Sequence, residues 1–222
     1  MEDTGRRFHP AALSRFCVAV LEKTGVSREN AEIVARSLLA ANLRGVDTHG
    51  ITRLPIYVER LRAGLTKGFA QGAVVAETPT TAVYDGQDGL GQVVGTKAMQ
   101  LAIAKAHAAG VGMVTARNST HYGTAAYYAM MALGRDMIGI ALTNSPSLMA
   151  PWGGRKAFLG TNPLAIAVPA GKEKPFVLDM ATSVVARGAI ILAAKKGETI
   201  PNTWGLNREG EPTTSAKEAN EG

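Results

Sequence analysis

TTAVYDGQDGLGQVVGTKAMQ, residues 80–100, decides between two folds. Gly89, Gly91 and Gly95 lie between a strand-like run and a helix-like one, the spacing of a glycine-rich dinucleotide turn. Arg117, after the next strand-like run, stands where a reader of a 2′-phosphate would be placed. Two features argue instead for a plain tight turn into a helix. Asp85 and Asp88 would set carboxylates at the mouth of a phosphate cradle, where their charge opposes an anion. The strand itself alternates apolar and polar residues, whereas a central parallel strand is apolar on both faces. The tight turn is the preferred reading.

N-terminal to this stretch the texture is helical. Residues 10–24 place Leu13, Phe16, Cys17, Val20 and Leu21 at helical spacing, with Pro10 suited to the first turn and Gly25 to the stop. Ser27 can cap a second helix with Ala31, Val34, Leu38 and Ala41 on one stripe, ending near Gly45. A third, shorter helix is expected over residues 52–63. After Gly64 the runs VVAE, TTAVYDG, GVGMVTARNS, MIGIALTNS, PLAIAVP and PFVLDM read as strands, interrupted by helices over 92–109 and 125–133. The expected fold class is α+β: an N-terminal helical layer over residues 1–70, then a mixed α/β sheet domain over 71–222. The tail GETIPNTWGLNREGEPTTSAKEANEG predicts no cap, strand or closing helix.

The bulk numbers exclude some function classes. With 222 residues, 46% hydrophobic and 19% charged, the chain reads as a soluble globular protein. Its net charge of +6 comes from scattered Lys and Arg that never form a run longer than two, and aromatics are only 5% of residues. That pattern argues against a nucleic-acid partner and suits a small anionic ligand. Cys17 is the single cysteine and is expected to be a buried, inert thiol. The N-terminus MEDTGRRFHP has no apolar signal region, and no stretch approaches the roughly 18 apolar residues of a membrane span. A cytoplasmic protein without membrane contact is the expectation.

Three clusters can carry chemistry. In RGVDTHGITRLPIYVERLRAG, residues 44–64, Arg53 and Tyr57 are four apart and share a helix face, with His49 just before the helix N-terminus. Arg53 offers a planar fork for a carboxylate, and Tyr57 a phenolic hydrogen bond. The plainer reading is a surface Arg paired with Glu59. In TARNSTHYGTAAYYAMMAL, residues 115–133, His121 follows a strand end in a polar loop, and a group titrating near neutral pH can pass a proton between hydroxyl and carbonyl. The plainer reading is a His that satisfies loop backbone. In NSPSLMAPWGGRKAFLGTNPLAIAVPAGKEKPFVLDMATS, residues 144–183, polar loops surround two strands, and Asp179 ends the second, placed for a polar cofactor group or as an acidic cap for the following segment. His9 and His107 read as structural. No metal site is expected, because His49 and His121 lack a third ligand and no HxxxH pair or cysteine cluster exists. No G-x-S-x-G elbow is present for serine hydrolysis.

Five stretches in order resemble one family: DTHGITRLPIY at 47–57, NSTHYG at 118–123, APWGGRKAFLGTNPLAIAVP at 150–169, VLDMATS at 177–183 and GETIPNTWGLNREGEPTT at 197–214. The chain is similar along nearly its whole length to the type-2 malate/L-lactate dehydrogenases, a family that also includes ureidoglycolate and sulfolactate dehydrogenases and piperideine-2-carboxylate reductases. The resemblance implies a non-Rossmann nicotinamide-binding fold, NAD or NADP as cofactor, a homodimer, and hydride transfer on a small 2-hydroxy or 2-oxo acid. It implies His121 as the catalytic acid/base. It assigns His49, Arg53 and Tyr57 to the substrate carboxylate and nicotinamide, and Ser145, Thr161, Asp179, Met180 and Ala181 to the cofactor. Family members continue past the PTT segment to a KGYG-type motif that also contacts the cofactor. Here Ser215-Ala216 replaces the family's usual Asp-Pro, and Asn220 stands at an apolar position. The expectation is weak binding of NADH and NADPH by these 222 residues, with a non-catalytic remnant or a cyclic-imine carboxylate reductase as competing readings.

Overall fold

The computed structural model describes residues 7–221. Helix α1 spans Pro10–Glu22, with Pro10 in its first turn and the His9 side chain accepting from Ala11 N–H. Helix α2 spans Arg28–Leu43, and the Ser27 hydroxyl caps it by accepting from Asn30 N–H at 3.3 Å. The two helices bury Cys17, Leu21, Val34 and Leu38 completely between them. The buried stripe of α1 runs through Cys17, Val18 and Leu21 rather than Phe16, which is 58% exposed. Burial pushes the Cys17 thiol up, which keeps it protonated and unreactive.

The expected third helix opens as two 3-10 turns, Asp47–His49 and Ile51–Arg53, before α3 at Leu54–Arg62. Pro55 sits in the first turn of α3, where its missing N–H costs nothing. Leu54 and Tyr57 close the helical core from this side, and Leu90 and Val93 close it from the next helix.

Residues 80–100 fold as a strand, a tight turn and a helix. Strand β1 (Ala73–Glu77) pairs antiparallel with β2 (Thr81–Gly89), and β2 pairs in parallel with β3 (Met113–Ser119) after the crossover helix α4 (Gly91–Ala109). The alternation of β2 argued against a parallel partner, yet it has one. The alternation arises because α4 covers only one face, burying Ala82 and Tyr84 while the opposite residues stay accessible. Both acids of the turn are engaged: Asp85 accepts from Arg117 Nε at 3.0 Å and from Asn118, and Asp88 pairs with Lys67 at 3.2 Å. Arg117 is thereby committed to Asp85.

A second sheet is a three-stranded antiparallel meander of β4 (Gly139–Leu142), β5 (Leu164–Val168) and β6 (Phe176–Met180). Its inner face carries Ala141, Ala165 and Ala167, whose small side chains let helix α5 (Ala125–Ala129) lie close. Gly139 shows how close, because a Cβ there would stand 2.0 Å from the Ala129 carbonyl oxygen. The 125–133 helix expected from sequence is α5 continued as a 3-10 segment, Met130–Arg135. The outer face of this sheet is apolar too, with Ile140, Leu142, Phe176 and Met180 exposed around Ile166 and Leu178.

The C-terminal region corrects the expectation of a tail without a cap or closing helix. Helix α6 spans Arg187–Lys196, and α7 spans Ala216–Glu221 and packs on it through Ile190, Ala193, Ile200 and Ala216. Ser215 and Glu218 have the spacing of a capping box: Ser215 Oγ accepts from Glu218 N–H, and the Glu218 carboxylate accepts from the Thr213 hydroxyl at 2.7 Å. No helix of the described residues is long and apolar enough to cross a membrane.

Candidate active site

His121 stands in the loop between β3 and α5, and the glycine turn of residues 89–91 holds it there. The Thr120 hydroxyl donates to Gly89 O at 3.0 Å and accepts from Gly91 N–H at 3.1 Å. A Cβ on Gly91 would lie 2.2 Å from the Thr120 carbonyl oxygen and 2.5 Å from that of His121. Gly91 is therefore small so that the chain's own backbone can rest on the first turn of α4. The place a pyrophosphate would take at that helix N-terminus is filled by residues 120–121.

The helical layer brings three further side chains to His121. The Tyr57 hydroxyl lies 2.7 Å from His121 Nδ1. The His49 ring stacks on the His121 ring with centroids 5.7 Å apart and planes inclined by 27°. Asn42 of α2 fixes the turns that carry His49 and Arg53: its amide nitrogen bonds Asp47, and its Oδ1 accepts from Ile51 N–H at 2.9 Å. Thr48 contributes at both ends, with its hydroxyl 3.0 Å from His49 Nδ1 and its carbonyl accepting from Arg53 Nε at 2.6 Å. That last bond uses only the Nε of the guanidinium, leaving the edge formed by its two terminal nitrogens to meet a carboxylate bidentately. Among the described residues no ion pair joins Arg53 to Glu59.

The electrostatics favour neutral imidazoles. The His121 pKa is pushed down to about 4, first by burial against its neighbours and then by the basic groups His49, Arg53 and Arg60. One side of His121 stays open to solvent, so solvent tempers the desolvation, while the crowding of basic groups keeps the direction downward. His49 is also lowered, by desolvation and by Arg53, against a partial pull upward from Asp179. Burial pushes Tyr57 up to about 12, so its phenol keeps its proton at neutral pH.

Beside Tyr57 lies Gln92, the second residue of α4, with 0% exposure. Neither its amide nitrogen nor its amide oxygen completes a hydrogen bond of good geometry. A buried polar group left in that state costs about 1–3 kcal/mol, which an apolar residue of similar size would avoid.

The remaining expected residues form a second group. Ser145 and Thr161 meet across the β4–β5 connection, with their hydroxyls 3.1 Å apart and Ser145 Oγ accepting from Thr161 N–H at 2.8 Å. Asn162 holds the same loop by accepting from Ser145 N–H at 3.0 Å. Thr182 donates its N–H and its hydroxyl to Thr161 O, which ties this loop to the run Asp179, Met180, Ala181 at the end of β6. Asp179 Oδ2 accepts from Ala126 N–H at 2.9 Å, so it caps α5 rather than the segment after it. Asp179 is also close enough to His49 and Tyr122 to act on both electrostatically, and this links the two groups of residues. His9 caps α1, and His107 lies in the last turn of α4.

Sequence reasoning missed Asn42, Thr48, Gln92 and Asn162. Asn42 had one signal, an amide inside a helix just ahead of the Gly45 stop, where a side chain can serve the following turn. Gln92 had none, because a glutamine in the first turn of a helix reads as surface.

Known proteins are similar to this chain along most of its length. A malate dehydrogenase of Pyrococcus horikoshii is 52% identical over 206 residues, covering 93% of this chain and 57% of that protein. The solved sulfolactate dehydrogenase of Methanocaldococcus jannaschii superposes with a TM-score of 0.91 at 46% identity, covering 96% of this chain and 62% of that one. A delta1-piperideine-2-carboxylate reductase of Pseudomonas syringae has a TM-score of 0.91 at 28% identity, covering 96% of this chain and 64% of that one. Other relatives carry NAD(+) or NADP(+) in their names. The chain thus spans about three fifths of the length of the relatives it matches. The family model described as malate/L-lactate dehydrogenase matches residues 8–222, and the chain belongs to that family.

Proposed function

We propose that this chain carries the proton-transfer and carboxylate-binding groups of an NAD(P)-dependent dehydrogenase of small 2-hydroxy and 2-oxo acids of the malate/L-lactate type. One observation carries the reading: Tyr57 bonded to His121 at 2.7 Å, with the His49 ring stacked alongside and a free guanidinium edge on Arg53. Such a cluster matches an acid with a proton to give at the carbon next to its carboxylate.

Arg53 binds the carboxylate through its free edge and so fixes the neighbouring carbon against His121. During oxidation His121 Nε2 accepts the proton of the C2 hydroxyl while the C–H electron pair leaves with its hydrogen as hydride. During reduction the protonated imidazole returns that proton to the C2 oxygen. The nicotinamide, when bound, supplies the hydride acceptor or donor. A neutral His121 suits the base role. An incoming carboxylate offsets the charge of Arg53, which shifts His121 back toward the range where it can also act as an acid.

We assign Ser145, Thr161, Asp179, Met180 and Ala181 to the cofactor. Their fit rests on donor chemistry: paired hydroxyls, an exposed carboxylate and a strand end gathered by Thr182. Two separate three-stranded sheets, with the α4 N-terminus filled by the chain itself, support a nicotinamide site outside the doubly wound pattern. The bare outer face of β4–β6 supports association into a homodimer.

The test is steady-state turnover of malate, L-lactate and sulfolactate with NAD+ and NADP+, and of the matching 2-oxo acids with NADH and NADPH. Turnover of at least one pair supports the reading. The likeness to the piperideine-2-carboxylate reductase favours a second one, reduction of a cyclic imine bearing a carboxylate on the same Arg53. Turnover of that imine with none of the hydroxy acids would select it. Binding without turnover of either class would overturn both.

A further inference from the structure

The proton on His121 has two possible seats, and the surrounding residues choose between them. A neutral imidazole carries one N–H, and which nitrogen holds it is set by what the other one meets. Tyr57 faces Nδ1, which leaves Nε2 for substrate. For Nε2 to offer a lone pair, Nδ1 must hold the hydrogen and donate it to the phenol oxygen. The phenol must then send its own hydrogen elsewhere. In many proton-transfer histidines a carboxylate orients Nδ1–H. Here the titratable groups acting on His121 are His49, Arg53 and Arg60, all basic.

Of the groups that act on Tyr57 besides His121, Gln92 alone carries a hydrogen-bond acceptor, since Arg53 and Arg60 can only donate. It is fully buried, its amide oxygen has no partner in hydrogen-bonding geometry, and it adjoins Gly91, the residue on which the His121 backbone rests. The turn that fixes His121 therefore also fixes Gln92. Thr96, one helical turn further along the same face, has a buried hydroxyl that is likewise without a partner, so this face of α4 holds polar atoms that packing alone does not need.

We propose that Gln92 is a positioning residue whose amide oxygen accepts the Tyr57 hydroxyl, turning the phenol oxygen toward His121 Nδ1–H and keeping Nε2 as the proton-transfer nitrogen. The chain of bonds runs from His121 Nδ1–H to the Tyr57 oxygen and from the Tyr57 hydrogen to Gln92 Oε1. It is the same whether Nε2 is bare or protonated, so a proton can cycle on Nε2 without any rearrangement behind it. The consequence for turnover rests on the acid/base reading of His121, whereas the tautomer does not.

The test is nitrogen-15 NMR of the histidine rings in the full 222-residue chain at neutral pH. The wild type is expected to show His121 with a protonated Nδ1 and a bare Nε2. Gln92→Met keeps the volume but removes the acceptor, and it should move His121 to a mixture or to the opposite tautomer. Gln92→Glu, which keeps an acceptor, should retain the wild-type tautomer. Unchanged signals from His9 and His107 report that each variant is folded. In turnover, Gln92→Met should lower kcat by roughly tenfold or more with KM held within about twofold, because a wrong tautomer impairs proton transfer rather than binding. A wild-type His121 with its hydrogen on Nε2 overturns the proposal even if neither variant folds. An unchanged tautomer in a folded Gln92→Met variant overturns it as well. Both results leave the dehydrogenase reading standing, and absence of turnover would leave the tautomer result standing.

Discussion

The helical layer and the β4–β6 sheet bury their side chains in opposite ways. Between α1 and α2, Leu21, Val34 and Leu38 are enclosed on all sides, and α3 and α4 close the rest of that core. The sheet buries alanines against α5 on one face and leaves large aliphatic residues on the other. The site lies along the line where these regions meet. His49, Arg53 and Tyr57 come from the closed region, and Asp179, Ser145 and Thr161 from the half-covered one. The residues assigned to the carboxylate are therefore held by packing that is already complete, His121 reaches them from the loop between β3 and α5, and the residues assigned to the cofactor stand on a sheet with an uncovered apolar side.

Substitutions can break or sharpen that contrast. The largest expected effect is on stability in the closed core: Leu38→Ala should cost about 2–5 kcal/mol in urea unfolding, because the surrounding helices cannot collapse onto the cavity. Next is Arg53→Lys, which keeps the charge but loses the fork. It should raise KM for the acid by about 10–100-fold, the equivalent of one charge-assisted hydrogen bond, with a smaller change in kcat. An unchanged KM would remove Arg53 from the carboxylate. Ser27→Ala removes the α2 cap and should cost about 1 kcal/mol by the same unfolding measurement.

A smaller effect is expected from acid. His121 and His49 have pKa values below that of a free histidine, so between pH about 6.5 and pH about 4 the unfolded chain binds more protons than the folded one. Stability should be full above the upper value and decline as the pH falls through that window, and His121→Gln should flatten the decline. A melting temperature that rises on acidification across the window would contradict the site's electrostatics. The smallest effect belongs to the sheet: Leu142→Ser on the outer face should change monomer stability by no more than about 0.5 kcal/mol. If it costs as much as Leu38→Ala, the two regions do not differ as described.

Much of this arrangement was legible in the sequence. Helical periodicity and Ser27 marked α1 and α2, and β-branched runs marked all six strands, because both patterns are written in consecutive residues. Arg53 and Tyr57 could be placed on one face by spacing alone. What could not be read depended on distant partners. Gly91 could be read as part of a phosphate turn or, as preferred, of a plain tight turn, and only the return of residues 120–121 shows what it makes room for. The parallel pairing of β2 was hidden because its alternation reports the one-sided cover of α4, not the direction of its neighbour. Helix α7 was missed although Ser215 and Glu218 have capping-box spacing, since the surrounding Gly, Pro and Thr masked a short helix.

The measurement that bears most directly on the central claim is the turnover number of His121→Ala against wild type, with the best 2-hydroxy acid and its preferred nicotinamide at saturating concentrations. Loss of a proton-transfer group should lower kcat by about 10²–10⁴-fold while Tyr57→Phe, which leaves the imidazole in place, loses less. A His121→Ala variant that turns over at the wild-type rate would contradict the account.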